Sequence, residues 1–518
     1  MKRNRFKQGG ICMKYQNPII SGFYPDPSIC RVGKDYYLVT SSFSYFPGVP
    51  IFHSTDLINW KQIGHCLTTA SQLTLGKTWR SGGIFAPTIR YHEGLFYMVT
   101  TNVSNGGNFY VYTNNPAGKW SEPVWINQGG IDSSLFFDDN GKVYFTSTTE
   151  SDTSAPGICL SEIDIKTGNR LTEVKYVWSG TGGRHPEAPH LYKINNYYYL
   201  MIAEGGTEYG HMVTIARSKS PCGPFESYSN NPILTHRNNG FSEIQGTGHA
   251  DIVEDINGNW WMVFLGFRPV YGMYHHLGRE TFLAPVEWNE EGWPVVNGNG
   301  TVSLTMESDK INVKHILPDA FEDNFDGSTL DYQWNFVGNP NENMYSLTER
   351  QGYLRIYGSE ITLNDIGSPS FIGKRQQHFN CRVETLLDFK PEKINEEAGL
   401  TVIMDENHHY EIAIVGDSHN RKLIVRRTIG KLSGIVAEEI IADGAVKLEI
   451  CADMGEYHFK YAVNENSFKE IADGETKYLS SEVAGGFIGI YFGLYATGNG
   501  TRNSTPADFE YFKYKVLE

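Results

Sequence analysis

Three acids stand where the chain turns or stiffens: Asp26 in "YPDPS", Asp132 in "GGIDSS" and Glu187 in "RHPEAPH". Pro186 and Pro189 bracket Glu187 and fix the backbone on both sides of a side chain whose direction matters. Taken singly, each acid reads as an ordinary turn or solvated residue. Brought together, they could do acid–base chemistry. Carboxylates crowded into one pocket cannot all ionise, so one stays charged as a base and another keeps its proton as an acid. That requires residues far apart in the chain to meet.

A repeat supplies the meeting place. Five segments begin at Asp26, Ala86, Asp132, Ala188 and His249, and each carries an aliphatic anchor followed nine residues later by the centre of a second strand. The pairs are Ile29 and Leu38, Ile89 and Met98, Leu135 and Tyr144, Leu191 and Leu200, and Ile252 and Trp261. Between them lie "VGKD", "HEG", "DDNGK", "INN" and "DINGN", the connections of hairpins. The anchors recur 60, 46, 56 and 61 residues apart, a spacing for multi-stranded blades. A five-bladed β-propeller is favoured over a β-sandwich with coincidental hairpins. First strands of blades surround the axis, so Asp26, Asp132, Glu187 and His249 are expected at one mouth of the channel.

The bulk properties agree with an all-β chain: 13% aromatic residues, with 31 Tyr, 28 Phe and 54 Gly. A net charge of −15 argues against a general nucleic-acid binder and suits neutral substrates. Seven scattered cysteines without a C-x-x-C pair read as a reduced, cytoplasmic protein with no disulfide framework or zinc site. No apolar run is long enough to span a bilayer. Residues 1–14 read as an N-terminal extension, with Met13 a candidate start. The propeller is expected over 15–305, a linker over 306–320, and a β-sandwich of alternating strands over 321–518.

The segments "NPIISGFYPDPSICRVGKDYYLVTSSFSYFPGVPIFHSTDLINW", "GGIFAPTIRY", "GGIDSSLFFDDNGKVYF", "HPEAPHLYKINNYYYLMIAEGGT", "GTGHADIV" and "LGRETFLAPVEW" resemble glycoside hydrolase family 43. They are most similar to its β-xylosidases with a C-terminal β-sandwich, over residues 17–518. The resemblance implies a five-bladed propeller and hydrolysis with inversion. It implies Asp26 as general base, Glu187 as general acid, and Asp132 as the group that orients Glu187 and raises its pKa. It further implies that Arg279 contacts the sugar, that Phe43 lines the sugar pocket, and that His249 lies beneath it. Some members hold calcium there through this histidine and waters. The chemistry itself needs no cofactor.

The C-terminal half would be a concanavalin A-like jelly roll sending an aromatic loop from "GGFIGIYFG" (485–493) to the pocket. That would close one end and favour exo-attack, releasing D-xylose from β-1,4-xylo-oligosaccharides. A dimer or tetramer is expected by the same resemblance. Two departures bear on substrate: Phe85 stands where relatives commonly carry Trp on the leaving-group side, and 146–157 lacks an expected aromatic. An α-L-arabinofuranosidase or dual-activity enzyme is therefore the alternative. A non-catalytic carbohydrate-binding propeller is the rival from another class, and the three acids weigh against it. An endo-arabinanase is least favoured.

Overall fold

The computed structural model describes residues 13–149, 155–311, 313–316, 320–417, 421–463, 467–502 and 505–517. The repeated hairpins form five antiparallel sheets, four of them four-stranded; the fourth sheet carries an extra short strand, Leu234–Thr235. Their innermost strands are Ser28–Val32, Thr88–His92, Ser134–Phe137, Glu187–Ile194 and Gln245–Glu254. Each touches the next, and the fifth touches the first, so the sheets close into a ring of five blades.

The expected cross-strand pairs hold in blades one, two and four: Ile29 opposes Leu38, Ile89 opposes Met98, and Leu191 opposes Leu200. In blades three and five the register shifts by one, so that Leu135 opposes Phe145 and Ile252 opposes Met262. The turns explain the difference. Blades one, two and four turn through two residues, whereas blades three and five use five-residue loops opened by Asp138 and Asp255. Those loops are built on bonds from the Gly141 N–H to the Asp138 carbonyl and from the Asn257 and Asn259 N–H groups to the Asp255 carboxylate.

The ring is fastened where its ends meet. Met13–Gln16 pairs with Thr305–Ser308, and the Asn17 side chain both donates to and accepts from the backbone of Leu283 at 3.0 Å. Met13 and Lys14, expected in an extension, are thus paired in a strand, and their partner strand runs from the last residue of the expected propeller, 305, into the expected linker. Residues 1–12, 312 and 317–319 lie outside the described residues.

The C-terminal half is a sandwich of a six-stranded and an eight-stranded antiparallel sheet. Its strand Cys381–Asp388 alternates buried and half-buried residues along its whole length, the pattern of a strand with one face on a core. The two halves share more than a surface. Phe336–Val337 pairs with Tyr45–Phe46 of the propeller, and Phe23, Phe43 and Tyr45 belong to the same apolar cluster as Trp334 and Tyr491 of the sandwich. None of the six described cysteines is in a disulfide. No helix among the described residues is long and apolar enough to cross a membrane.

Candidate active site

The repeat-equivalent positions share a backbone state. Asp26, Asp132, Ala188 and His249 have φ of 56°, 55°, 55° and 46°, the left-handed region that non-glycine residues avoid at a cost of about 1–2 kcal/mol each. Only Ala86 of blade two departs from it. The bend falls just before the innermost strand at Asp26 and Asp132 and at a register slip within it at Ala188 and His249, and it persists where surrounding contacts over-determine it. At Glu187 two further devices act. His185 is also left-handed, with φ of 51°, and the strand register slips between Glu187 and His190, a bulge that re-aims the side chain.

The loop leading to Glu187 is tied from beneath by a second acid. The buried Glu204 carboxylate accepts from the Thr181 N–H (2.9 Å), the Gly183 N–H (2.8 Å) and the Thr214 hydroxyl (2.6 Å). The chain passes so close that a Cβ on Gly180 would lie 2.5 Å from the Glu204 carboxyl carbon.

Asp26, Asp132, Glu187, Phe43, Phe85, His249 and Arg279 all line one cavity of about 550 Å³. Ring closure brings Asp26 to Arg279. The Gly22 N–H donates to Glu280 at 2.8 Å and the Tyr24 N–H to the Arg279 carbonyl at 3.1 Å, while Arg268 holds Glu280 through two bonds of 2.7 and 2.9 Å. Asp26 is only 4% exposed. It accepts from Arg279 Nη1 at 2.7 Å and from the Ser41 hydroxyl at 2.5 Å, and His249 Nδ1 lies 3.5 Å away. Burial alone would push its carboxyl up; Arg279, His249 and Ser41 outweigh burial and hold it below the usual carboxylate range. Glu187 is pushed well above that range, first by burial and then by the negative charges of Asp132 and Asp26. Asp132 is also raised, by burial and by Asp26 against the opposing pull of His249.

The opposite wall is aromatic. Phe43 stands 5.3 Å from Phe85 and 6.3 Å from Phe487, and the Arg279 guanidinium lies 5.8 and 5.9 Å from the rings of Phe43 and Phe487. Phe487 comes from the sandwich. Its N–H donates to the Ser81 hydroxyl at 2.9 Å, and its carbonyl accepts from Arg279 Nη2 at 3.1 Å. The loop is clasped by Glu482, whose carboxylate receives the His275 N–H at 2.9 Å and lies 2.6 Å from His275 Nδ1. Within 485–493 the strand begins only at Tyr491, because Gly485 and Gly486 are both left-handed at φ 76° and release the segment as a loop.

The axis beneath His249 is filled by side chains of the chain itself. His190 follows, pushed down to about 3 by burial and so neutral. Below it the Arg90 guanidinium donates to Asp251 at 2.7 Å and lies 2.8 Å from His190 Nδ1. Ser28 and Tyr192 donate to Asp251 at 2.6 Å each, as do the N–H groups of Ile29 at 3.1 Å and Ile252 at 2.9 Å. The oxygens are engaged, a cation of the chain itself occupies the position, and no group of three metal-ligating side chains occurs among the described residues. The network adds no protein ligand to His249 for the calcium expected there through that histidine and waters.

Sequence reasoning passed over Ser41, Glu204, Glu482, the Arg90–Asp251 network and Thr207, whose hydroxyl accepts from Arg279 Nη1 at 3.1 Å. Two carried a signal: Asp251 sits two residues beyond His249 on a strand facing the axis, and Glu204 ends an apolar run before two glycines. Of the poor-aromatic segment at 146–157, residues 150–154 lie outside the described residues.

A closed ring of β-blades that gathers one ionised and one protonated carboxyl group in a cavity is the apparatus of a glycoside-cleaving enzyme. Residues 15–294 match the model of glycosyl hydrolases family 43, and 322–515 match the β-xylosidase C-terminal concanavalin A-like domain. The chain belongs to glycosyl hydrolase family 43. It is 44% identical to a non-reducing end alpha-L-arabinofuranosidase from Bacteroides ovatus, over 97% of this chain and 95% of the relative. It is 34% identical to a beta-xylosidase from Bacillus subtilis, over 97% and 100%. A solved Bacteroides ovatus structure titled xyloglucan PUL GH43B superposes with a TM-score of 0.93 at 43% identity, covering 98% of this chain and all of that one. A xylan beta-1,4-xylosidase from Bacillus halodurans gives 0.92 at 35%, covering 96% and 99%.

Proposed function

We propose that the protein is an inverting, exo-acting glycosidase that releases D-xylose from the non-reducing end of β-1,4-xylo-oligosaccharides. One observation carries this: two carboxyl groups in a single cavity shifted in opposite directions, Asp26 down and Glu187 up. Asp26 removes a proton from water as the water oxygen bonds to the anomeric carbon. Glu187 gives its proton to the glycosidic oxygen as that bond breaks. The proton on Asp26 then exchanges with solvent, and Glu187 is reprotonated from it. Asp132 keeps Glu187 protonated through its charge, and the Ala188 N–H that bonds to Asp132 ties the two acids to one bend of backbone. Arg279 holds Asp26 ionised, and Phe43, Phe85 and Phe487 offer apolar faces to a sugar ring. The sandwich wall supports attack at chain ends.

A second substrate, a terminal α-L-arabinofuranose, is favoured by Phe85. A phenyl ring where relatives commonly carry an indole leaves more room on the leaving-group side. Initial rates on 4-nitrophenyl β-D-xylopyranoside and 4-nitrophenyl α-L-arabinofuranoside, side by side, decide between the two. A clear preference for the xyloside, with α-xylose as the first anomer seen by NMR, supports the first substrate. A preference for the arabinofuranoside replaces it with the second. Turnover of neither leaves a sugar-binding propeller without catalysis.

A further inference from the structure

A second depression, of about 1100 Å³, opens directly onto the pocket and shares Ile131, His185 and Glu187 with it. It runs between the turn at 102–107 of blade two and the segment 126–131 that leads into blade three. None of its described lining residues comes from the sandwich. We propose that this groove binds the leaving-group part of the substrate, a neutral oligosaccharide chain several sugars long. The proposal rests on Glu187 being the acid. The acid stands beside the glycosidic oxygen, so whatever is attached to that oxygen begins at Glu187, and the groove begins there too.

The chemistry of the lining fits such an occupant. On a chain of net charge −15, the described groove residues other than His185 and Glu187 bear no charge. They present amides, hydroxyls and the bare backbone of Gly106, Gly107, Gly129 and Gly130. These groups exchange hydrogen bonds with sugar hydroxyls without stripping water from an ion. The side chains of Asn105 and Asn127 are exposed and bond to no other described residue. A separate observation concerns Trp125, which does not itself line the groove but packs on Gly106, which does. The Trp125 indole, 47% exposed, packs on Phe109 at 4.9 Å and so closely over Gly106 that a Cβ there would lie 2.4 Å from the ring. An indole seated against a groove residue and still half exposed is a candidate platform for a pyranose ring of a bound chain.

The test is calorimetric titration of the Glu187→Gln protein with xylose, xylobiose, xylotetraose and an arabinofuranosyl-decorated xylotetraose. Affinity should rise from xylobiose to one or both tetraoses. The Asn105→Ala/Asn127→Ala double variant should lose about fivefold on that tetraose and little on xylose. Trp125→Ala should lose about tenfold, with Trp125→Phe recovering part of it. Equal affinities for xylobiose and both tetraoses, or losses that are the same for xylose and tetraose, would overturn the groove assignment. The aryl-glycoside rates of the unaltered protein report separately on the catalytic assignment, so either can fail alone.

Discussion

At the scale of single residues, the site works by holding two like groups apart in proton affinity. On the proposed mechanism, activity needs Asp26 without its proton and Glu187 with it. The acidic limb of kcat/KM should therefore fall below the ordinary aspartate value of 3.8 and the basic limb well above the ordinary glutamate value of 4.5. Arg279→Gln removes the main influence that lowers Asp26 and should move the acidic limb upward. Stability carries the same signature. Folded Glu187 binds its proton more tightly than the unfolded chain does, so the native state loses stability as pH climbs from about 4.5 through the folded value. Glu187→Gln should cost 10²-fold or more in activity on xylobiose, yet melt higher than the unaltered protein at pH 8. The gain should close near pH 4, and a gain equal at both pH values would contradict a buried, protonated Glu187.

At the scale of elements, the loop over residues 180–187 carries the proposed acid, and Glu204 ties that loop down. Glu204→Gln keeps the shape but gives up charge-assisted bonds to two backbone N–H groups. It should lower kcat about ten- to a hundredfold with KM little changed, because misplacing the acid by an ångström costs that much. A change in KM alone would place Glu204 in substrate binding instead. Elements were also the best-read part of the sequence. Local chemistry writes hairpins, and the offset from the apolar anchors marked equivalent positions; that four of the five are left-handed was not legible in the sequence. Turn length escaped it, since "DDNGK" and "DINGN" look like tight turns until their aspartates are seen closing five-residue loops. The axial network escaped it as well, because Arg90 and Asp251 lie 161 residues apart and no local pattern pairs them. The aromatic loop expected over 485–493 was legible, but its end was not: the strand begins at Tyr491, inside the expected loop.

At the scale of the molecule, two halves with separate topologies share one interior. Phe23, Phe43 and Tyr45 of the propeller are buried in the sandwich's own cluster, with the Tyr45 and Tyr491 rings stacked at 4.0 Å and Arg375 buried 4.5 Å from the Tyr24 ring. Scanning calorimetry should show one cooperative transition, and a chain ending at residue 308 should be inactive and prone to aggregate through its uncovered aromatics. Two well-resolved transitions, or a truncated chain with full activity, would contradict a shared interior. The bond from Arg279 to the carbonyl of Phe487 has a consequence for descent. A genetic exchange that replaced only the second half of the coding sequence would leave every acid in place and yet install a foreign wall around the sugar. New diets could arise by crossover at a distance from the chemistry, and the two halves should be inherited as a matched pair wherever the old diet is kept.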